Sequence, residues 1–189
     1  MERVAAGGVE VVIAAPAERI WRALREPAEL RRWHGWEADG LDDEIEQVYV
    51  AGAEEDGRTL VLRGTEIEVR PDGTVAFRMT AGRDDPVFGQ WYDEIVEGWT
   101  TFAQQLRFAL ERHPGQDRVT RYLEGPQAAP EVGPVGSRYA VGGLTGEVWF
   151  RSAHQLGLTV DQWGDGLLVL QAAAAVLTGY GVTPTGWPA

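Results

Sequence analysis

Hydrophobic side chains along this chain switch between two periods, and the switches mark out its elements. Val9, Val11 and Ile13 occupy alternate positions with Glu10 and Val12 between them, which predicts an opening strand with at least one buried face. Pro16 ends the alternation. Proline is tolerated at the first position of a helix and Glu18 in the first turn complements the dipole, so Pro16 to Leu24 reads as a short helix using Ile20, Trp21 and Leu24. Pro27 restarts the pattern for a second short helix running to Trp33, which presents Leu30 and Trp33 and is ended by Gly35.

From Glu44 to Thr80 the signals are those of a strand meander. Ile45 to Val50 reads as a strand, Glu55-Asp56-Gly57 as a turn, and Thr59 to Arg63 as the next strand. Thr65 to Arg70 alternates strictly and is expected to bury Ile67 and Val69 while exposing its charges. Pro71-Asp72-Gly73 is a strong turn, because proline presets φ and glycine tolerates a positive φ. Val75, Phe77 and Met79 supply the answering strand. Then the period lengthens: Tyr92, Ile95, Val96, Trp99, Phe102, Ala103, Leu106 and Leu110 recur at helical spacing. One amphipathic helix from Tyr92 to Arg112 would run about 30 Å, enough to cross a small sheet. His113, Pro114 and Gly115 end it.

Beyond Gly115 the texture changes. Gly125 to Gly136 carries Pro126, Pro130 and Pro134 and reads as a linker or an extended excursion. Glu147 to Arg151, His154 to Asp161 and Leu167 to Leu170 read as strands, the last two joined by Trp163-Gly164-Asp165-Gly166, and Thr183 to Ala189 is not helical. The expected division is a domain over 1–115 and a β-rich extension over 116–189. That extension either completes the first sheet or forms a small β unit of its own.

Composition narrows the partners. The chain has 189 residues, 44% of them hydrophobic, so it can bury a real core. A formal charge of -12 disfavours nucleic acid and anionic membrane, both of which reward clustered cations. Every basic side chain is Arg, but the arginines are scattered. The absence of Cys removes disulfides, thiol catalysis and Cys-based zinc sites. Met1 to Gly8 contains no apolar run resembling a signal peptide, and Leu167 to Leu177 is too short to span a bilayer, so a cytoplasmic location without membrane insertion is expected.

The run Val11-Val12-Ile13-Ala14-Ala15-Pro16-Ala17-Glu18-Arg19-Ile20-Trp21-Arg22-Ala23-Leu24, followed by Pro27-Ala28-Glu29-Leu30-Arg31-Arg32-Trp33, resembles the N-terminal signature of bacterial START-like (SRPBCC superfamily) proteins. More narrowly, it is similar to the homologues of the heat-shock-protein ATPase activator. Tyr92-Asp93-Glu94-Ile95-Val96-Glu97-Gly98-Trp99-Thr100-Thr101-Phe102 resembles the start of that family's closing helix. The resemblance covers Val9 to His113. It implies an α+β helix-grip fold, an antiparallel sheet wrapped around a long C-terminal helix, with the β-rich extension following. It also implies a cavity, which relatives use for lipids or other apolar molecules, for aromatase or cyclase chemistry, or alongside a role as chaperone partners.

Candidate chemistry is sparse. No His pair with a third ligand supports a metal site, and the acidic runs Asp42-Asp43-Glu44 and Glu54-Glu55-Asp56 lack calcium-loop spacing and read as solvated turns. No nucleophile elbow or phosphate-cradling loop is present, so neither a catalytic residue nor a cofactor is assigned. His34, between Trp33 and Trp36, either faces a cavity mouth or sits in a surface turn; His113 reads as a helix terminator, and His154 as a strand residue. The aromatic set Trp33, Trp36, Tyr49, Phe77, Met79, Tyr92, Trp99 and Phe102 is the expected cavity lining, with Tyr49, Tyr92 and Arg78 as polar handles; taken singly, each is better explained by core packing. The expectation is therefore non-catalytic binding of a hydrophobic small molecule. Two alternatives stand beside it: a cyclase-type enzyme using His34, Tyr92 or Glu97, and a module binding a protein partner or a second copy through Trp149, Trp163 and Trp187.

Overall fold

A computed structural model describes residues 7–187 of the chain. The parts of Met1 to Gly8 and of Thr183 to Ala189 that fall outside that range lie outside the described residues. The molecule is α+β, with two antiparallel sheets and one long helix, and it divides into two units. One comprises Met1–Gly35 with Gly40–Gly115, the other Trp36–Asp39 with Gln116–Ala189.

In the first unit, strands β1 (Gly8–Val12), β2 (Glu54–Asp56), β3 (Thr59–Leu62), β4 (Thr65–Val69) and β5 (Thr74–Met79) form a sheet in the order β1-β5-β4-β3-β2. The expected β4–β5 hairpin forms and buries Ile67 and Val69, with Ile67 opposite Phe77 and Val69 opposite Val75, all four buried. Its turn depends on Gly73, whose φ is +84° and whose N–H donates to the Arg70 carbonyl at 3.1 Å. The outward positions are charged and paired, Glu68 accepting from both Arg70 and Arg78.

Helix α1 (Ala17–Arg25) buries Ile20, Ala23 and Leu24. Helix α2 (Pro27–Leu30) is shorter than the sequence pattern suggests, and the chain leaves it through a turn in which the amides of Trp33 and His34 both donate to the Leu30 carbonyl. The next segment corrects the sequence reading. Ile45 to Val50 is not a strand: α3 (Leu41–Ile45) runs into a π-helical turn over Glu46–Val50, in which the Ala51 amide donates to the Glu46 carbonyl at 2.8 Å. Three β-branched residues and a tyrosine suggested a strand, yet the buried residues Ile45 and Tyr49 are four apart, which is helical spacing, and three acids occupy the first turn.

Helix α4 (Tyr92–Arg112) has the limits its periodicity predicts and packs against β1 and β5. Its two halves differ. Ala103, Leu106, Ala109 and Leu110 are buried in one core with Val9, Val11, Ile13 and Val75, whereas Ile95, Val96, Trp99 and Phe102 are only partly buried. The apolar stripe therefore closes on the sheet at its C-terminal end and leaves space below its N-terminal half.

The second unit is a six-stranded sheet of β6 (Val119–Glu124), β7 (Arg138–Val141), β8 (Leu144–Arg151), β9 (Leu156–Val160), β10 (Gly166–Leu170) and β11 (Ala174–Gly179), ordered β6-β11-β10-β9-β8-β7. The two sheets share no strand. Gly142 and Gly143, both at positive φ, make the two-residue β7–β8 turn that strand twist favours. Val148, Leu158, Trp163, Leu168 and Leu177 build the core, and the Trp163 indole donates to the Thr185 carbonyl at 2.8 Å. His154 is not on a strand; it lies exposed in the turn between β8 and β9. Among the described residues, no helix is long and apolar enough to cross a membrane.

Candidate functional site

The space left by α4 is a cavity of about 620 Å3 within the first unit. Ile95, Gly98, Trp99 and Phe102 of α4 form one wall, and Leu62, Thr65 and Met79 of the sheet form the opposite one. Phe88 closes a side, its ring packed over the strand turn at Gly64, where a Cβ would come within 3.1 Å of the ring. The Arg63 guanidinium stands over the same ring at 5.7 Å.

The polar wall comes from α3 and its π-helical turn. Glu44, Gln47 and Val48 are spaced three and four apart and line the cavity, while Ile45 and Tyr49 turn into the core. A strand through these residues would have sent alternate side chains to opposite faces instead. His34 is 1% exposed and is held at both ring nitrogens: Nε2 lies 2.9 Å from Glu44 Oε1, and Nδ1 lies 3.0 Å from the Tyr49 hydroxyl. A carboxylate can only accept, so Nε2 carries a proton. In the neutral imidazole, Nδ1 must then accept from the Tyr49 hydroxyl. The titration tendencies agree with that direction. Burial, reinforced by the nearby Glu44 charge, holds the Tyr49 hydroxyl well above the usual phenol range and so protonated. The hydrogen bond from His34 holds the Glu44 carboxyl below its usual range and so ionised, against the opposing pull of burial. The His34 ring also packs on Phe102 at 4.6 Å and on Tyr49 at 4.9 Å between centroids.

The aromatic set from the sequence is dispersed by the fold. Met79, Trp99 and Phe102 line the cavity, with the Trp99 indole donating to Thr65 Oγ1 at 3.1 Å. Tyr49 stands behind the wall as the partner of His34. Trp33 and Phe77 are core residues; Trp33 donates to the Ala23 carbonyl at 2.8 Å, and Phe77 lies 5.2 Å from the Trp99 ring. Tyr92 lies under the Arg83 guanidinium and is not part of the lining. Trp36 belongs to the second unit, stacked on Tyr122 at 4.2 Å. Of the suggested handles, Arg78 is engaged by Glu68 and does not line the cavity, and Glu97, named for the enzyme alternative, does not line it either. His34 is buried, so the surface-turn reading does not hold, and His113 ends α4 as expected, its ring 5.5 Å from Phe108.

The residues that sequence reasoning passed over are Glu44, Gln47, Arg63 and Phe88. Glu44 was hidden by its neighbours, because an Asp-Asp-Glu run looks like a solvated turn unless the helical spacing of Leu41, Ile45 and Tyr49 is noticed first.

No protein-family profile matches the chain, and no curated protein matches it by sequence. Among solved structures, the chain is similar to DynU16, a protein in the dynemicin biosynthetic locus, at 12% identity and a TM-score of 0.31, over 93% of this chain and 86% of that one. That likeness is too remote to carry fold or function across.

Proposed function

We propose that the first unit is of helix-grip type and that its cavity holds an apolar or aromatic small molecule without covalent chemistry. The observation that carries this reading is the cavity itself. At about 620 Å3 it falls within the range of small-molecule sites, and its walls are mostly apolar with a few convergent polar groups. Two packed surfaces would normally close such a space, because empty interior volume costs packing energy. Native mass spectrometry of the purified protein, followed by thermal unfolding against a panel of hydrophobic compounds, tests the idea. A binder present at about 100 times its Kd stabilises by about 2.7 kcal/mol, which raises the melting temperature of a chain of this size by several degrees. A protein that carries nothing and is stabilised by no compound in the panel refutes the proposal.

A second reading, a cyclase-type enzyme in the same cavity, is favoured by one observation. Glu44 and His34 are hydrogen-bonded in the cavity wall, an arrangement that can move a proton to or from a bound molecule. Conversion of a bound compound by the wild-type protein, lost on His34→Gln, would favour this reading over simple binding.

A further inference from the structure

We infer that Glu44 selects the cavity's ligand, which has an apolar body and carries a hydrogen-bond donor, a hydroxyl or an ammonium group, placed against that carboxylate. This deepens the binding reading above and rests on it.

The argument starts from how Glu44 is held. One carboxylate oxygen accepts from His34 Nε2 at 2.9 Å, and His34 is fixed in turn by the Tyr49 hydroxyl at 3.0 Å and by the Phe102 ring. The acceptor is thus positioned by a chain of buried groups and not by a flexible surface pairing. Its side chain is 53% exposed and lines the cavity, and His34 is its one hydrogen-bonding partner among the described residues. A carboxylate offers about four lone-pair sites and His34 uses one, so the remaining capacity faces the space a ligand would fill. Of the other polar groups on the walls, the Thr65 hydroxyl oxygen is engaged by the Trp99 indole and directed at the Met79 sulfur, and Gln47 offers an uncharged amide oxygen, a weaker acceptor than the carboxylate.

The opposite ligand class, an apolar acid, would need a cation. Arg63 lines the cavity and is the group that would attract one. Two observations weigh against it. Its guanidinium lies over the Phe88 ring, and the fixed Glu44 charge repels an anion in the same space, within a chain of formal charge -12.

The test uses four probes sharing one ring system: naphthalene, 1-naphthol, 1-naphthylmethylammonium and 1-naphthoate, titrated calorimetrically into the full-length protein at pH 7. Naphthol and the ammonium compound are expected to bind about tenfold more tightly than naphthalene, the lower end for a hydrogen bond to a charged acceptor, because Glu44 is half-exposed. Naphthoate is expected to bind most weakly. In Glu44→Gln, the ratio between the donor probes and naphthalene should fall toward one, and naphthoate should gain. The two donor arms distinguish the source: preference for the ammonium alone means charge pairing, and equal gains mean hydrogen bonding. Naphthalene binding without any donor preference, a donor preference that survives Glu44→Gln, or tightest binding of naphthoate overturns the inference and leaves the cavity reading standing. Failure of all four to bind overturns both.

Discussion

His34 shows how much a single residue can organise when both of its ring nitrogens are committed. Its neighbours in sequence, Trp33 and Trp36, have other duties, one in the core of the first unit and one in the second. Its partners come instead from ten and fifteen residues further along, Glu44 and Tyr49. The Tyr49 hydroxyl is fully buried and hydrogen-bonds His34 Nδ1 at 3.0 Å. Tyr49→Phe keeps the ring that packs on Trp33 and His34 but removes the donor, so the cost is that of a buried acceptor left unsatisfied, about 1–3 kcal/mol. The urea midpoint should fall accordingly with an unchanged slope. The His34 ring resonances should also report a change of tautomer or of mobility, which a loss of packing alone would not produce.

At the scale of elements, legibility followed the strength of the local pattern. The β4–β5 hairpin and α4 were both read from sequence, because each has a long uninterrupted period and clear stop residues. The hairpin turn allows a sharp test. Gly73 sits at φ +84°, and a Cβ there would lie 2.5 Å from the Ile13 carbonyl oxygen. Gly73→Ala should therefore cost about 2 kcal/mol or more, combining the left-handed penalty of about 1–2 kcal/mol with displacement of the β1 end, where the Ile13 amide donates to the Gly73 carbonyl. An equilibrium denaturation curve indistinguishable from wild type would show that the turn relaxes without consequence. The elements that were not legible fail for physical reasons. The segment from Glu46 to Val50 looks like a strand because Val and Tyr favour strands, but propensity yields to the burial of Ile45 and Tyr49 on one helical face. Strand β11 is hidden by Ala174 and Ala175, residues with little strand preference, and it exists because β10 and β6 pair with it on both sides. The same limit governed the site. The α4 residues of the cavity were legible through their spacing, whereas Glu44 required knowledge of the helix that carries it.

For the whole molecule, the informative feature is the routing of the chain. Trp36–Asp39 belongs to the second unit although the first unit surrounds it in sequence. The four residues are bound there by three kinds of interaction. Glu37 and Thr120 exchange hydrogen bonds, the Glu37 amide donating to Thr120 Oγ1 at 2.5 Å and the Thr120 amide donating to Glu37 Oε2 at 3.0 Å. Trp36 stacks nearly parallel on Tyr122, with 15° between the planes. Burial lowers the Arg118 guanidinium to about 10, and Tyr180 and the Glu37 charge oppose that shift. Among the described residues, strand β6 is at the edge of its sheet and pairs with β11 alone, so this early segment supplies restraint that a second strand would otherwise provide. Trp36→Ala removes the stack, worth about 0.5–1.5 kcal/mol beyond the area it buries. Hydrogen exchange should register the change unevenly: amides of Val119–Glu124 should lose protection while those of β4 and β5 keep theirs. Uniform loss across both sheets would mean that the two units unfold as one and that the stack stabilises the whole chain. A loss confined to β6 would mean that a residue placed before α3 in the chain sets the local stability of a strand more than eighty positions later.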